Sequence, residues 1–265
     1  MNAKKTRIIP EERRGQILKY LADKKTATIE DICKTFDISE VTVRRDINKL
    51  SLNGLIKKVY GGVTIPVSYT SGPVFVERRN KNLEEKRRIA AEAVKRINDE
   101  DTILIESGTT CLELVKLIHQ KKNLTIISSG AHIINALCDL RRQKLFDGEI
   151  ICSGGIWREQ PDIFIGPHAV EFYQKVKINV AFIGILALNL EDGVMLSNQF
   201  EAELQRHILS CSQRRIALAD HTKFDKVSFT KVGSLSLFDE IITDSGIDQS
   251  TLDRYKKAKV KITIC

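Results

Sequence analysis

The sequence predicts an α/β protein in two parts: a small helical module closed by a β-hairpin, then a larger unit built on a parallel sheet. Three observations predict it. The charge is uneven, since residues 1–66 carry 14 Lys+Arg against 8 Asp+Glu, a net of +6, whereas the remainder carries 28 against 26. The stretch "PVSYTSGPVFVERRNKN" from Pro66 to Asn82 is rich in proline, glycine and small polar residues and reads as a boundary. Beyond it, apolar β-branched runs alternate with helical patterns. The expected bounds are 1–66 for the first domain, 67–82 for a linker and 83–265 for the second. A chain of 265 residues, 42% of them hydrophobic, has the material for two ordinary cores.

In the first domain Pro10, Glu11 and Glu12 suit a helix start, because the proline ring fits the first turn and early carboxylates suit the positive end of the dipole. Ile17, Leu18 and Leu21 then form an apolar stripe. Thr28 with Asp31 reads as a capping box opening a second helix through Ile29, Ile32 and Phe36. After a tight turn at Asp37 and Ile38, Ser39 caps a third helix, which Gly54 closes in the left-handed conformation. Three helices in so short a span suggest a helix-turn-helix.

Rotation by about 100 degrees per residue places Val43, Ile47 and Leu50 on one packed stripe of the third helix. Thr42, Arg44, Arg45, Asn48 and Lys49 spread over the other side. That face offers bidentate donors for guanine, an amide for adenine and charges for phosphate. Val41 falls there too, and is expected to pack on the preceding turn rather than to meet a thymine methyl. Two β-prone runs, Leu55 to Tyr60 and Val63 to Ile65, flank Gly61 and Gly62, a pairing that suits a tight hairpin. This hairpin would be a wing whose Lys57 and Lys58 bind flanking phosphate. With Ser39, these are the expected contacts to double-stranded DNA, and the unit is a winged helix-turn-helix.

In the second domain the runs "TILI" (102–105), "LTIIS" (124–128), "EIICS" (149–153), "NVAFIGIL" (179–186), "RRIALAD" (214–220), "EIITD" (240–244) and "KVKITI" (259–264) alternate with helices. Continuously apolar strands argue for a parallel sheet covered on both faces, with ligands at the carboxyl ends of its strands. The loop Glu106, Ser107, Gly108, Thr109, Thr110 follows the first such strand and opens a helix. Hydroxyls and a helix start would hold an anion such as phosphate, although an ordinary helix cap explains the same residues. Ser128 and Ser129, Gly154 and Gly155, and Lys223 lie at other strand ends. Lys223 either pairs with the same phosphate or is a surface loop lysine.

Six cysteines without a C-x-x-C pair indicate neither a zinc site nor a disulfide framework. No signal peptide or membrane span is expected, so the natural compartment is the cytosol, and no cofactor or metal is called for. Cys111, just inside the helix start where a thiolate is favoured, is a further candidate, for a redox sensor.

The run "SEVTVRRDINKLSLNGLIKKVYGGV" resembles the winged helix-turn-helix of DeoR-family bacterial transcription regulators through Ser39, Thr42, Val43, Arg44, Arg45, Asp46, Gly54, Gly61 and Gly62. Ile47 stands for the family's Leu, and Tyr60 for its His. From "EEKRRIA" to "EIITD" the chain is similar to that family's effector domain, which is related in fold to ribose-5-phosphate isomerase and the CoA-transferase group. Ser107 to Thr110, Gly154 and Gly155, Asp220 and Lys223, and Ile242 to Asp244 carry this likeness, while Glu106 replaces Asp and Ser128 with Ser129 replaces Thr-Asn. The resemblance implies a DNA-binding repressor of a sugar or polyol operon, released by a phosphorylated sugar and working as a homodimer or homotetramer. The rival is an isomerase-like enzyme with a basic extension, for which Glu106 or Asp220 would be the base.

Overall fold

The computed structural model describes residues 9–24, 26–52, 55–59, 61–64 and 73–265, which divide into two units between Asn80 and Lys81. The first contains helices α1 (Pro10–Lys24), α2 (Ile29–Phe36), α3 (Glu40–Leu52) and α4 (Pro73–Asn80) and strands β1 (Thr26–Thr28), β2 (Lys57–Val59) and β3 (Gly62–Thr64). Its core is Ile17, Leu18 and Leu21 of α1, Ile32 of α2 and Val43, Ile47 and Leu50 of α3, closed by Leu55, Ile56 and Val63. The capping box is present: Thr28 Oγ1 accepts from the Asp31 N–H at 3.0 Å, and Asp31 Oδ2 accepts from the Thr28 N–H at 3.1 Å. Asp37, at φ 49°, stops α2 and makes the tight turn, a conformation that a short polar side chain tolerates.

The wing has three strands in the antiparallel order β1-β3-β2. Its third member, β1, is three residues long, too short for alternation to reveal it. Gly62 is needed there, because a Cβ would stand 2.4 Å from the Ala27 carbonyl oxygen on the neighbouring strand. The expected cap Gly54 and the wing residue Tyr60 lie outside the described residues. Part of the expected linker is helical, since α4 occupies residues 73–80 and packs on α1. Proline at its first position and Arg78 and Arg79 in its last turn suit a helix's two ends, which outweighs the turn-like composition before it.

The second unit runs α5 (Leu83–Ala93), β4 (Thr102–Ile105), α6 (Thr109–Val115), β5 (Thr125–Ser128), α7 (Ala131–Arg142), β6 (Glu149–Cys152), β7 (Ile156–Arg158), β8 (Ile163–Ile165), α8 (Pro167–Gln174) and β9 (Ile178–Gly184). It continues with β10 (Ala187–Asn189), β11 (Gly193–Leu196), α9 (Gln199–Cys211), β12 (Ser212–Leu218), β13 (Thr230–Gly233), β14 (Glu240–Thr243), α10 (Gln249–Lys257) and β15 (Ile262–Ile264). Seven strands form one parallel sheet in the order β15-β14-β12-β9-β4-β5-β6. All seven coincide with the expected apolar runs. Because the chain adds β5 and β6 on one side of β4 and β9, β12, β14 and β15 on the other, the order reverses beside β4. A parallel sheet opens its ligand crevice at such a switch point, which puts the loop after β4 at that crevice.

Helices α8 and α9 pack together over the face that carries Leu104, Ile127, Ala181, Ile183 and Ala217. At one flank Glu240 is buried between Arg96 at 2.6 Å and Arg214 at 2.8 Å and accepts from Thr263. Burial alone would raise its carboxyl, but these partners prevail and hold it at about 2. The hairpin β7-β8 and the antiparallel sheet β10-β11-β13 are additions that lie outside the expected apolar runs.

Candidate functional site

In the first unit α3 turns its apolar stripe inward and its polar face out. Val43, Ile47 and Leu50 are at most 2% exposed. Ser39 Oγ accepts from the Thr42 N–H at 3.4 Å and so caps the helix start, and it lies 2.9 Å from Thr42 Oγ1. Arg44 is exposed and pairs with Glu40 at 2.7 Å. Arg45, Asn48 and Lys49 are exposed on the same helix, as are Lys57 and Lys58 on β2. Lys58 Nζ donates to Asn48 Oδ1 at 2.5 Å, joining wing to helix. A groove of about 910 Å³ between α2, α3 and the wing is lined by Arg44, Asn48 and Lys58 and also by Glu30, Cys33 and Glu40.

Two features differ from the expectation. Val41 does not pack on the preceding turn: it is 71% exposed, because the turn from Asp37 to Ser39 leaves its side of the helix open. Its side chain therefore belongs to the outward face. Asp46, next to the two arginines, is 1% exposed and accepts from Arg13 at 2.7 Å and Arg14 at 3.3 Å. This ion pair ties α1 to α3. An Arg-Arg-Asp triplet thus splits, with two members facing solvent and the third fastening the helix from behind.

In the second unit, Glu106 extends β4 by one residue, its N–H donating to the Phe182 carbonyl at 3.0 Å. Continuing the registers Leu104↔Ile127 and Ser128↔Cys152 places Glu106, Ser129 and Ser153 in one row across β4, β5 and β6. Since side chains alternate along a strand, this row lies on the α8 and α9 face, two residues beyond Leu104 and Ile127. Ser128 points the other way, and its Oγ accepts from the Gly130 N–H at 3.0 Å. Ser107, Thr109 and Thr110 are buried beside the row.

Gly108 starts α6 at φ 141°, and its N–H donates to His132 Nε2 at 3.1 Å. His132 Nδ1 is 3.2 Å from Asp162 Oδ2, and Trp157 Nε1 donates to Asp162 Oδ1 at 2.8 Å. With Nε2 accepting, the ring hydrogen sits on Nδ1, so one chain of hydrogen bonds joins the hairpin β7-β8 to the loop after β4. Nothing in the sequence singles out these three residues, because a histidine inside a helix and an aspartate in a turn are each ordinary.

Gly154 and Gly155 follow β6 at φ 70° and 107°, and a Cβ on Gly155 would meet the Ile165 carbonyl oxygen at 2.5 Å. The loop Glu106 to Thr110, the serines 128 and 129 and the two glycines thus meet at adjacent strand ends. Lys223 follows β12, separated from β4 by β9. Its Nζ lies 3.8 Å from Asp220 Oδ2, and Asp220 Oδ1 also accepts from Asn82 and from the Thr222 N–H, both at 3.1 Å. Burial would raise the Asp220 carboxyl, but Thr222, Lys223 and Asn82 hold it below its usual value.

Glu106 is 2% exposed, and burial, with the Glu201 carboxylate of α9 nearby, pushes its carboxyl well above the usual range. A neutral Glu106 is a hydrogen-bond donor as well as an acceptor. The Cys111 thiol is fully buried against the Phe182 carbonyl, and burial pushes it far up, which removes the thiolate a redox sensor needs. Among the described residues no group of three or more His, Cys, Asp or Glu could hold a metal ion, and no helix is long and apolar enough to cross a membrane.

Residues 13–68 match the model of the DeoR-like helix-turn-helix domain, and residues 81–245 match the DeoR C terminal sensor domain. The chain belongs to the DeoR family. It is 32% identical to the transcriptional regulator IolR of Bacillus subtilis, over 86% of this chain and 89% of that one. It is 28% identical to the regulator GolR of Listeria innocua, over 97% and 99%. The glycerol-3-phosphate regulon repressor of Escherichia coli is 25% identical, over 96% and 98%. A ribose-5-phosphate isomerase in complex with phospho-erythronic acid superposes with a TM-score of 0.40 at 16% identity over 54% of each chain, a likeness too distant to bear on chemistry. This DeoR-family regulator therefore pairs a DNA-binding unit with a sensor unit, and the strand-end cluster lies in the sensor.

Proposed function

We propose that this regulator is a cytoplasmic repressor of a sugar or polyol utilisation operon and carries no enzymatic turnover. Thr42, Arg44, Arg45, Asn48 and Lys49 read or grip operator DNA, with Ser39 at the helix start and Lys57 and Lys58 on the wing holding phosphate. A phosphorylated sugar is the effector, held by the loop Glu106 to Thr110 with Ser128, Ser129, Gly154, Gly155 and Lys223. The observation that carries the reading is the two-sided third helix, with Val43, Ile47 and Leu50 buried and both arginines in solvent. The name of one relative, the glycerol-3-phosphate regulon repressor of Escherichia coli, supports a small phosphorylated polyol as the class of signal.

Release requires the effector to favour one of two states of the protein, because a ligand that binds both equally shifts nothing. Helix-turn-helix readers bind paired half-sites, so the working form is a homodimer or homotetramer. The test is a thermal-shift panel of phosphorylated and free sugars, followed by fluorescence anisotropy on DNA from upstream of the chain's own gene. At least one sugar phosphate should raise the melting temperature and displace the DNA. Failure of every phosphorylated compound to do either would overturn the effector assignment. Turnover of ribose 5-phosphate that disappears in Glu106→Gln would instead favour an isomerase, since a carboxyl with a raised pKa at a strand end is what such a base requires.

A further inference from the structure

The face of the sheet beneath α8 and α9 contains a layer of polar atoms that the protein itself leaves without partners. Glu106 Oε1, Ser129 Oγ, Tyr173 Oη and both amide atoms of Gln205 are buried with no hydrogen bond among the described residues. None of the four residues is more than 2% exposed. Folded proteins satisfy nearly all such groups, and each one left open costs stability, so five in one layer are not accidental packing.

The four residues come from neighbouring elements on the same face of the sheet. Glu106 and Ser129 are neighbours in the strand-end row, with Ser153 beyond them. Tyr173 comes from α8 and turns its hydroxyl towards those of Ser129 and Ser153, close enough to interact with both but without a hydrogen bond of ordinary length. Gln205 lies one turn after Glu201 on the face of α9 that also buries Ala202, Leu204, Ile208 and Leu209 against the sheet. Around these groups the core is hydrocarbon, including Leu104, Ile127, Ile163 and Ile183.

We propose that Glu106, Ser129, Tyr173 and Gln205 form a chamber that reads the uncharged, hydroxyl-bearing end of the effector. The chemistry of the set argues for hydroxyls rather than phosphate. It combines a phenol donor, an amide with both donors and an acceptor, a hydroxyl and a carboxyl, and includes neither lysine nor arginine. Vicinal hydroxyls donate and accept alternately and match such a set, whereas a phosphate dianion needs donors only and would meet the Glu106 oxygen unfavourably. Tyr173 and Gln205 thereby become specificity residues of the sensor, and a site built around hydrogen bonds rejects ligands that lack the hydroxyls.

This inference rests on the phosphorylated-sugar reading of the same unit, and the test separates the two. The full chain and its Tyr173→Phe and Gln205→Leu variants are titrated by calorimetry with inorganic phosphate, glycerol 3-phosphate, ribitol 5-phosphate and glucitol 6-phosphate. The wild type should bind at least one polyol phosphate about tenfold or more tightly than inorganic phosphate, and each variant should lose that preference while keeping its affinity for inorganic phosphate. Variants that keep the full preference, or a wild type without one, overturn the chamber. Failure of all four compounds to bind the wild type overturns the phosphorylated-sugar reading instead. The chamber is then judged by melting in the absence of ligand, where each variant removes an open polar group and should gain about 2–4 °C. A fall in melting temperature in both variants would mean that these groups stabilise the fold rather than await a ligand.

Discussion

The two units place their polar side chains in opposite ways. Along α3 the arginines, Asn48 and Lys49 stand in solvent, and the one charged group turned inward, Asp46, is fully ion-paired. Beneath α8 and α9 the polar groups lie inside, and several make no hydrogen bond among the described residues. An exposed cationic face acts over a distance, is weakened by salt and tolerates substitution. An enclosed polar layer acts only on contact, and each of its members affects stability. One unit is suited to search along a polyanion, and the other to examine a small molecule.

The sharpest way to break that comparison is Asp46→Ala. It leaves Arg13 and Arg14, about 15% exposed, without their shared carboxylate, and should cost the first unit about 3 kcal/mol, the scale for removing one partner of a buried pair. Urea unfolding followed by signals from each unit should show only the first one weakened. Next, Arg45→Ala should lower operator affinity by about 1–3 kcal/mol and leave random-DNA affinity much less changed. Equal losses on the two DNAs would make Arg45 a phosphate contact.

Glu106→Gln should act in the opposite direction. A carboxyl whose folded-state pKa is raised binds its proton in the folded state while the unfolded chain has lost it, so its contribution falls as pH rises above the unfolded value of about 4.3. The variant should therefore melt about 2 °C higher at pH 8 and close to the wild type at pH 4. A uniform shift across pH would show that Glu106 keeps an ordinary titration. The smallest effect is expected for Lys57→Ala, which should weaken operator and random DNA alike, by well under 1 kcal/mol at physiological salt, and reduce the salt slope by about one.

What the sequence reveals follows the same division. Periodicity exposes α3 and all seven strands of the parallel sheet, because a helix with one buried stripe and a strand buried on both faces leave clear apolar patterns. Gly61 and Gly62 mark the wing, and Thr28 with Asp31 marks the start of α2. The outward direction of Arg44 and Arg45 follows from rotation alone. The role of Asp46 does not, since a charged residue is read as solvent-facing until its partners 32 and 33 residues away are known. For the same reason Tyr173 and Gln205 carry no local signal: one lies in a helix the sequence does not announce, and the other resembles any glutamine in an amphipathic helix. The aliphatic character of Val41 argues for packing, and the geometry of a single turn decides otherwise. Short strands such as β7 and β10 fall below the length at which alternation means anything.

The link from Lys58 to Asn48 bears on the readout proposed for the third helix. An asparagine recognises adenine by giving a hydrogen to N7 and taking one from the exocyclic amine with its oxygen. Here that oxygen is already occupied by the wing's ammonium group. On the proposed reading, in which Asn48 meets a base and Lys58 a phosphate, adenine would compete for an oxygen the wing already holds, and the lysine's move to a backbone phosphate would free it.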